Sequence, residues 1–440
     1  MGTRVSEQTS HDRPLGAIDR RWLWAGVVSA AVISLAFIIR TAVVNYTTDL
    51  DAIWGTFWDF RDGTYYPVKA ALDGHVPWDV PAYMANYPVG QAFRTNLPTY
   101  LVVHSPFALL GYSAAAIAMF VVNLVGIVLL TKWSLRLARF RTTALMIVGI
   151  STLVAISTAG RNVLFSGQSA ILFTVGTYLA LTATSERAGA SGVFIALIKP
   201  TFGIPVTLLT AAAGKLKRAW RGTAAAILVA AILMIPFIGR AGGLGPMIDI
   251  LIDNLTGASE SIGISPETST GRIDIPIVFA RFFGIVLSSS VQNLLTLGVF
   301  GGAAWLLYRR RTLFSQGTYN DAAIVLICLA VATGIYHSVY DMIILVLPAF
   351  LLARPDFAEG TVSSRLRLAA LGSILVAAFN PFKIDTIADI LSGSESLSGF
   401  LGPGITAGAL LAALLLAAAM VWNLPVRHSG RTERHEEVRA

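Results

Sequence analysis

Two carboxylates, one guanidinium and several aromatic rings crowd the short stretch Trp58–Tyr66 of an otherwise apolar chain. Asp59 and Asp62 lie three residues apart, so a helix would present both carboxylates on one side. Paired carboxylates can push their pKa values apart, which leaves one of them suited to act as a base. The same acids could instead cap an interfacial helix or pair with Arg61, and the residues by themselves leave both interpretations open.

Lys199 is the most conspicuous ionisable residue within an apolar run, the one that covers residues 190–213. Burying a lysine in a membrane is costly, so its side chain is expected to face a polar cavity or an anion such as a lipid phosphate. Snorkelling toward a membrane interface is the alternative.

Two short polar turns between apolar runs supply further candidates. Arg161 and Gln168 bracket one predicted turn, and His337 lies in another, four residues before an acid. Arg161 stands against the charge bias of an outer loop, which favours an anion-binding role. A glutamine can equally serve as a cap or a contact between helices, and a lone histidine is more often structural. His104, before Pro106, is interpreted as an interfacial residue.

The composition indicates a membrane protein. The 440 residues are 55% hydrophobic and 13% charged, and the mean hydropathy is +0.67. Soluble domains carry about 25% charged residues, and the apolar residues here fall in long runs typical of membrane spans. The net charge of +8 does not indicate nucleic-acid binding, because the basic clusters flank these runs as cytoplasmic loops do. Cys328, the single cysteine, excludes a disulfide framework and a cysteine-based metal site.

The apolar runs predict an all-α, polytopic transmembrane bundle of about 10–12 spans. The predicted spans are residues 22–44, 106–130, 142–158, 169–184, 222–239, 276–308, 321–336, 341–354, 366–381 and 403–423. They form one membrane domain over residues 21–424, between a disordered cytoplasmic tail at 1–20 and a basic cytoplasmic tail at 425–440. Keeping the basic clusters inside leaves segments 45–105, 240–275 and 382–402 outside.

Segment 190–213 interrupts this simple alternation. Arg187 and Lys215 flank it, and both favour the cytoplasmic side. Pro200 follows Lys199 and must interrupt helical hydrogen bonding there. The segment is therefore predicted to enter and return, as two half-helices or as a hairpin of short spans.

No HExxH, P-loop or GxSxG motif occurs, so neither a metal site nor a cofactor is predicted, and metal dependence stays open.

Taken in order, these residues resemble the polytopic glycosyltransferases of the GT-C class, and most closely glycosyltransferase family 87. That family places an acid after its first span, an aromatic residue four positions later and then a glycine-containing turn. Asp62, Tyr66 and Gly74 match this pattern. The doubled acid, Asp59 with Asp62, departs from it and leaves the identity of the base open.

Later motifs follow the same order as in the family. Its proline-rich entry to the second span is similar to residues 97–106, its Gly-Gln to Gly167-Gln168 and its Lys-Pro to Lys199-Pro200. Its His/Tyr-Asp turn before an apolar run resembles residues 337–348. As a departure from the family pattern, no soluble carbohydrate-binding domain is expected after the spans.

The resemblance implies an enzyme that moves a sugar, commonly mannose, from a polyprenyl-phosphate donor to a glycolipid or polysaccharide acceptor at the outer face of the cell membrane. An inverting transferase needs a base for the acceptor hydroxyl, and Asp62 is preferred for its spacing to Tyr66, with Asp59 second. Donor phosphate and substrate are expected to contact Lys199, Arg161, Gln168, His337, Tyr66 and Arg61. Membrane lipids are further partners, and nucleic acids are not.

Two other functions fit the same residues. A transporter or flippase for a lipid or anionic solute could use Lys199 and the broken helix as a midplane binding site. Such transporters often carry paired interrupted helices, whereas this sequence has one. A non-catalytic assembly protein would explain the spans but not the acidic cluster.

Overall fold

The computed structural model describes Val28 and residues 57–94, 96–257, 265–266, 268–315, 319–383 and 395–425. Apart from Val28, the predicted first span at 22–44 lies outside the described residues. So do the tails 1–20 and 426–440 and the parts of the predicted outer segments at 45–56, 258–264 and 384–394.

The described residues form helices and no β-strand. The longer α-helices are Tyr66–Leu72, Val80–Asn86, Pro98–Ala108, Tyr112–Leu137, Ala144–Ile156, Thr158–Ser166, Ala170–Thr182, Glu186–Leu197, Pro200–Ala212, Leu216–Arg240, Leu244–Gly257, Ile275–Phe283, Ser289–Arg309, Asn320–Gly334, Val346–Ala353, Ser364–Ala378 and Glu395–Trp422. Shorter elements are the α-helices Trp58–Phe60 and Arg311–Ser315, the π-helix Arg61–Tyr65, and the 3-10 helices Val339–Leu345, Phe357–Gly360 and Pro381–Lys383.

Five helices in the described ranges are long and apolar enough to cross a membrane: Tyr112–Leu137, Leu216–Arg240, Ser289–Arg309, Ser364–Lys383 and Leu401–Trp422. A bent pair, Ala144–Ile156 with Thr158–Ser166, could form a sixth span. Four further apolar helices are shorter: Ala170–Thr182, Pro200–Ala212, Asn320–Gly334 and Val339–Ala353. The all-α polytopic bundle is therefore confirmed, although fewer helices than the predicted spans are long enough to cross unaided.

The structure differs from the predicted elements at several places. The predicted span 276–308 is two helices, because Gly284 adopts φ 64° and ends Ile275–Phe283. The predicted outer segment 240–275 contains the helix Leu244–Gly257, whose Leu244, Ile248, Ile252 and Leu255 follow a helical period. The predicted turn around Arg161 is part of the helix Thr158–Ser166.

A sharp corner separates the two helices of the bent pair. Ser157 leaves the helical conformation, and its hydroxyl caps the Thr158–Ser166 helix by accepting the N–H of Gly160 at 3.2 Å. The helices meet at 73°. A Cβ on Gly160 would lie 1.9 Å from the Val154 carbonyl oxygen, so only glycine fits this corner.

The predicted interruption at Lys199-Pro200 is present. Helix Glu186–Leu197 ends before it and Pro200–Ala212 begins after it, with Lys199 in an extended conformation. A Cβ on Gly203 would lie 2.2 Å from the Leu197 Cα, so the second helix folds back against the end of the first. Lys199 consequently occupies the tip of this fold.

The Glu186–Leu197 helix is held against Ala170–Thr182 by two facing glycines. A Cβ on Gly192 would lie 2.3 Å from the Ala180 nitrogen, and one on Gly176 would lie 2.7 Å from the Ala196 nitrogen. Small residues allow such close backbone approach between membrane helices. This contact fixes the distance between Lys199 and the residues just before Ala170.

The Asn320–Gly334 helix lies at the centre of the core. Its residues from Ala322 to Gly334 are all buried, as expected of a helix that is apolar on every side. The chain leaves this helix directly into the turn that carries His337 and Asp341.

Candidate active site

The segment that carries Asp59 is held by an aromatic cluster. Phe60 is fully buried and packs edge-to-face on Phe107 and Phe57. The N–H of Phe57 donates to the Phe165 carbonyl at 3.1 Å, which joins this segment to the Thr158–Ser166 helix.

Gly167 brings residues 166–168 directly against the same segment. It has φ 71°, a left-handed conformation that favours glycine. A Cβ there would lie 2.6 Å from both the Phe57 ring and the Phe60 Cβ. Glycine at this position therefore lets Ser166 and Gln168 reach Asp59.

Asp59 lies in an environment that favours its protonated form. Burial raises the pKa of its carboxyl to about 6, while the Gln168 amide, the positive charge of Lys199 and the Ser166 hydroxyl act in the opposite direction. Its Oδ2 atom is shielded from solvent and has no hydrogen-bond partner in the described part of the chain. A carboxylate with a free oxygen and a pKa near neutrality is suited to accept a proton.

Asp62 has a different environment, because its carboxylate is already occupied. Arg61 donates Nε–H to its Oδ1 at 2.6 Å, and the N–H of Gly90 donates to its Oδ2 at 3.0 Å. Burial raises the pKa of Asp62, and these two donors oppose that effect. The Tyr83 hydroxyl also donates to the Asp62 carbonyl at 2.9 Å. Asp62 therefore connects the π-helix Arg61–Tyr65 to residues 83–90 through hydrogen bonds.

Lys199 forms an ion pair with a residue that is distant in sequence. Its Nζ lies 3.0 Å and 3.2 Å from the two carboxylate oxygens of Asp341. The rings of Phe173, Phe202 and Tyr340 lie within 5.9 Å, 5.2 Å and 5.3 Å of the same nitrogen. The lysine thus lies partly buried among aromatic faces and is neutralised by one carboxylate.

Asp341 joins Lys199 to His337. Nδ1 of His337 lies 2.8 Å from Oδ2 of Asp341, and since a carboxylate only accepts, Nδ1 carries the proton. The other ring nitrogen, Nε2, is buried and has no partner among the described residues. Asp341 was not selected from the sequence, although its position four residues after His337 was the available signal.

The backbone around His337 is fixed from two sides. The N–H of Ile273 donates to the His337 carbonyl at 3.1 Å, and the N–H of Val339 donates to the Gly271 carbonyl at 2.8 Å. Arg272 forms a buried two-point ion pair with Asp274, at 2.6 Å and 2.7 Å. On the opposite side, the Tyr178 hydroxyl donates to the Ile344 carbonyl and accepts the N–H of Leu347, each at 2.9 Å.

The other predicted residues have partners outside this group. Arg161 donates a hydrogen bond to the Lys383 carbonyl. Tyr66 stacks on Tyr112 with ring centroids 6.1 Å apart, and Arg61 pairs with Asp62. The structure therefore brings together Asp59, Gln168, Lys199 and His337, and adds Asp341. Within the described ranges, no group of three or more His, Cys, Asp or Glu side chains is arranged to hold a metal ion.

Asp62→Asn is expected to lower the thermal unfolding midpoint of the purified protein clearly. Removing one partner of a buried ion pair costs about 3–5 kcal/mol, because the attraction between Asp62 and the buried Arg61 guanidinium is lost. Asp73→Asn is the matched control, since the Lys69–Asp73 pair is exposed and screened by solvent. Equal effects of the two substitutions would show that the Arg61–Asp62 pair has no structural role.

Comparison with known proteins places the chain in a family. The model of glycosyltransferase family 87 matches residues 95–336, more than half of the 440 residues. No curated protein and no solved structure matches significantly. The match includes Gln168 and Lys199, ends next to His337 and begins after Asp59 and Asp62. The chain belongs to glycosyltransferase family 87 and is a multi-pass membrane glycosyltransferase.

Proposed function

We propose that this chain transfers a sugar, with mannose as the first candidate, from a polyprenyl-phosphate donor to a glycolipid or polysaccharide acceptor, with Asp59 as the general base. The observation that carries the proposal is the position of Asp59. Its carboxylate, with a free oxygen, lies in the electrostatic field of Lys199 but forms no ion pair with it in the described structure. A base and an anion-binding group are thus close together without neutralising each other.

The proposed reaction inverts the sugar at its anomeric carbon. Asp59 accepts the proton of the acceptor hydroxyl while the hydroxyl oxygen attacks that carbon. The bond between the anomeric carbon and the donor phosphate oxygen breaks, and its electron pair leaves with the lipid phosphate. Asp59 ends the step protonated and then releases the proton to water.

Lys199 and His337 would receive the leaving phosphate. Lys199 carries three N–H donors, and two of its contacts are to Asp341, so one donor is left for a phosphate oxygen. A doubly protonated His337 ring would donate from Nε2 to a phosphate oxygen while Nδ1 contacts Asp341. Asp341 orients both groups, and positive charge held in place before reaction stabilises the developing negative charge.

An apolar cavity whose lining includes the residues that directly follow Asp341 supports a lipid-linked donor. Its volume is about 250 Å³, and its lining includes Met342 and Ile343, which directly follow Asp341, and Ala159 of the Thr158–Ser166 helix. A phosphate bound at Lys199 and His337 would leave its isoprenoid chain next to this apolar surface.

The proposed site faces the extracytoplasmic side of the cell membrane, with both termini in the cytoplasm. Support comes from the basic residues that flank the apolar runs, among them Lys132, Arg136 and the run Arg309–Arg311. Family membership favours sugar transfer over the transporter and over the non-catalytic assembly protein.

Sugar-transfer assays test which of the two carboxylates, Asp59 or Asp62, is the base. The protein is reconstituted with radiolabelled polyprenyl-phosphate sugars and candidate acceptors, and kcat/KM is compared for wild type, Asp59→Asn and Asp62→Asn. Asp59→Asn should lose at least about 10²-fold, because a positioned base contributes that much. Folded Asp62→Asn protein should keep most of its activity. Transfer lost in folded Asp62→Asn and kept in Asp59→Asn would make Asp62 the base, and solute flux without transfer would indicate a transporter.

Lys199→Met should weaken binding of the polyprenyl-phosphate donor more than binding of the acceptor. The substitution keeps the length of the side chain but removes the charge that would contact phosphate. Lys69→Met is the control, because Lys69 is an exposed lysine that also pairs with an aspartate. Donor and acceptor affinities are measured by equilibrium binding, and an unchanged donor affinity would remove Lys199 from the phosphate site.

A further inference from the structure

His104 lies at the centre of a buried polar network that the proposed reaction does not use. Its side chain is buried within the described bundle. Nδ1 lies 2.8 Å from the Tyr100 carbonyl oxygen, and Nε2 lies 2.6 Å from the Ser169 hydroxyl. A buried polar residue with both ring nitrogens satisfied is held in one orientation.

The partners of His104 fix the direction of each hydrogen bond. A carbonyl oxygen only accepts, so Nδ1 carries the proton and donates to Tyr100. In the neutral ring Nε2 must then accept, and the Ser169 hydroxyl donates to it. Ser169 precedes the Ala170–Thr182 helix and directly follows Gln168, the residue whose amide interacts with the Asp59 carboxylate.

The helix that carries His104, Pro98–Ala108, also contacts the segment that carries Asp59. Tyr100 lies one turn before His104 in Pro98–Ala108, and its ring packs 4.2 Å from the imidazole. Its hydroxyl lies 2.7 Å from the Thr64 hydroxyl, in the π-helix that follows Asp59. The Pro98–Ala108 helix thus contacts Ser169, next to Gln168, and Thr64, in the segment that carries Asp59.

We infer that His104 is a positioning residue for the proposed base: through Ser169 it fixes the backbone that aims Gln168 at Asp59, and through Tyr100 and Thr64 its helix holds the segment that carries Asp59. This inference rests on the proposed function. His104 itself touches neither base nor substrate, so its effect must pass through Gln168.

A double-mutant cycle tests whether Ser169 acts on Asp59 through Gln168. Transfer kinetics are measured for wild type, Ser169→Ala, Gln168→Ala and the double variant. Each single substitution should lower kcat by up to about tenfold, the effect of one lost hydrogen bond, with little change in the KM for the donor. The double variant should be no slower than Gln168→Ala alone, because both changes act on the same contact. Losses that multiply, or no loss in Ser169→Ala, would overturn the inference.

Two substitutions at His104 separate positioning from simple packing. His104→Gln keeps an acceptor for the Ser169 hydroxyl and should retain most of kcat. His104→Phe keeps an aromatic ring but removes both hydrogen bonds and should match Ser169→Ala. Equal kcat in the two variants would contradict the inference.

A second measurement does not depend on transfer. A carbodiimide modifies protonated carboxyl groups, and the labelling of Asp59 at pH 7 can be read by mass spectrometry. Gln168 lowers the pKa of Asp59, so Ser169→Ala should raise that pKa and increase the labelling several-fold, with exposed Asp73 as the internal control. The substitution leaves in place the other charged or titratable groups around Asp59: Lys199, Asp62, Tyr100, Tyr336 and Tyr340.

The labelling also distinguishes the positioning role of His104 from the proposed sugar transfer. Increased labelling in a protein that transfers no sugar would support the positioning role and reject the proposed function. Unchanged labelling would overturn the positioning role, whether or not the wild type transfers sugar.

Discussion

The proposed site depends on one electrostatic constraint. The Asp59 carboxylate lies near the Lys199 ammonium group, but the two form no ion pair in the described structure. Lys199 pairs with Asp341, at 3.0 Å and 3.2 Å, and Asp59 forms no ion pair with any described residue. If Asp59 were the partner of Lys199, its pKa would fall and it would be a poor base. In the proposed mechanism, Asp341 therefore lets a base and an anion-binding group lie close together.

Several backbone features serve this arrangement. The break at Pro200 puts Lys199 at the tip of two helices that fold back on each other. The left-handed Gly167 lets Gln168 approach Asp59, and buried Phe60 anchors the segment that carries Asp59. Each feature is local in the chain, yet together they join residues that are separated by more than a hundred positions.

The sequence predicted the fold class and much of the candidate site, but not its pairings. Long apolar runs and a proline beside a lysine are local signals, so the helical bundle and the break at Pro200 could be predicted. Whether Arg61 pairs with Asp59 or Asp62, and what neutralises Lys199, depends on contacts between distant segments. Spacing to Tyr66 favoured Asp62, whereas burial and hydrogen bonding favour Asp59. The helix around Arg161 was missed because two glycines and an asparagine resemble a turn.

The pH dependence of transfer tests the central claim most directly. A base must be deprotonated to act, so kcat/KM should rise with pH through the pKa of Asp59, which burial raises to about 6. Wild-type protein assayed from pH 4.5 to 8 at acceptor concentrations well below KM should show a midpoint near 6 and a plateau above pH 7. A rate that is already maximal at pH 5, as expected of an ordinary exposed carboxylate, would contradict the assignment of Asp59 as a buried base.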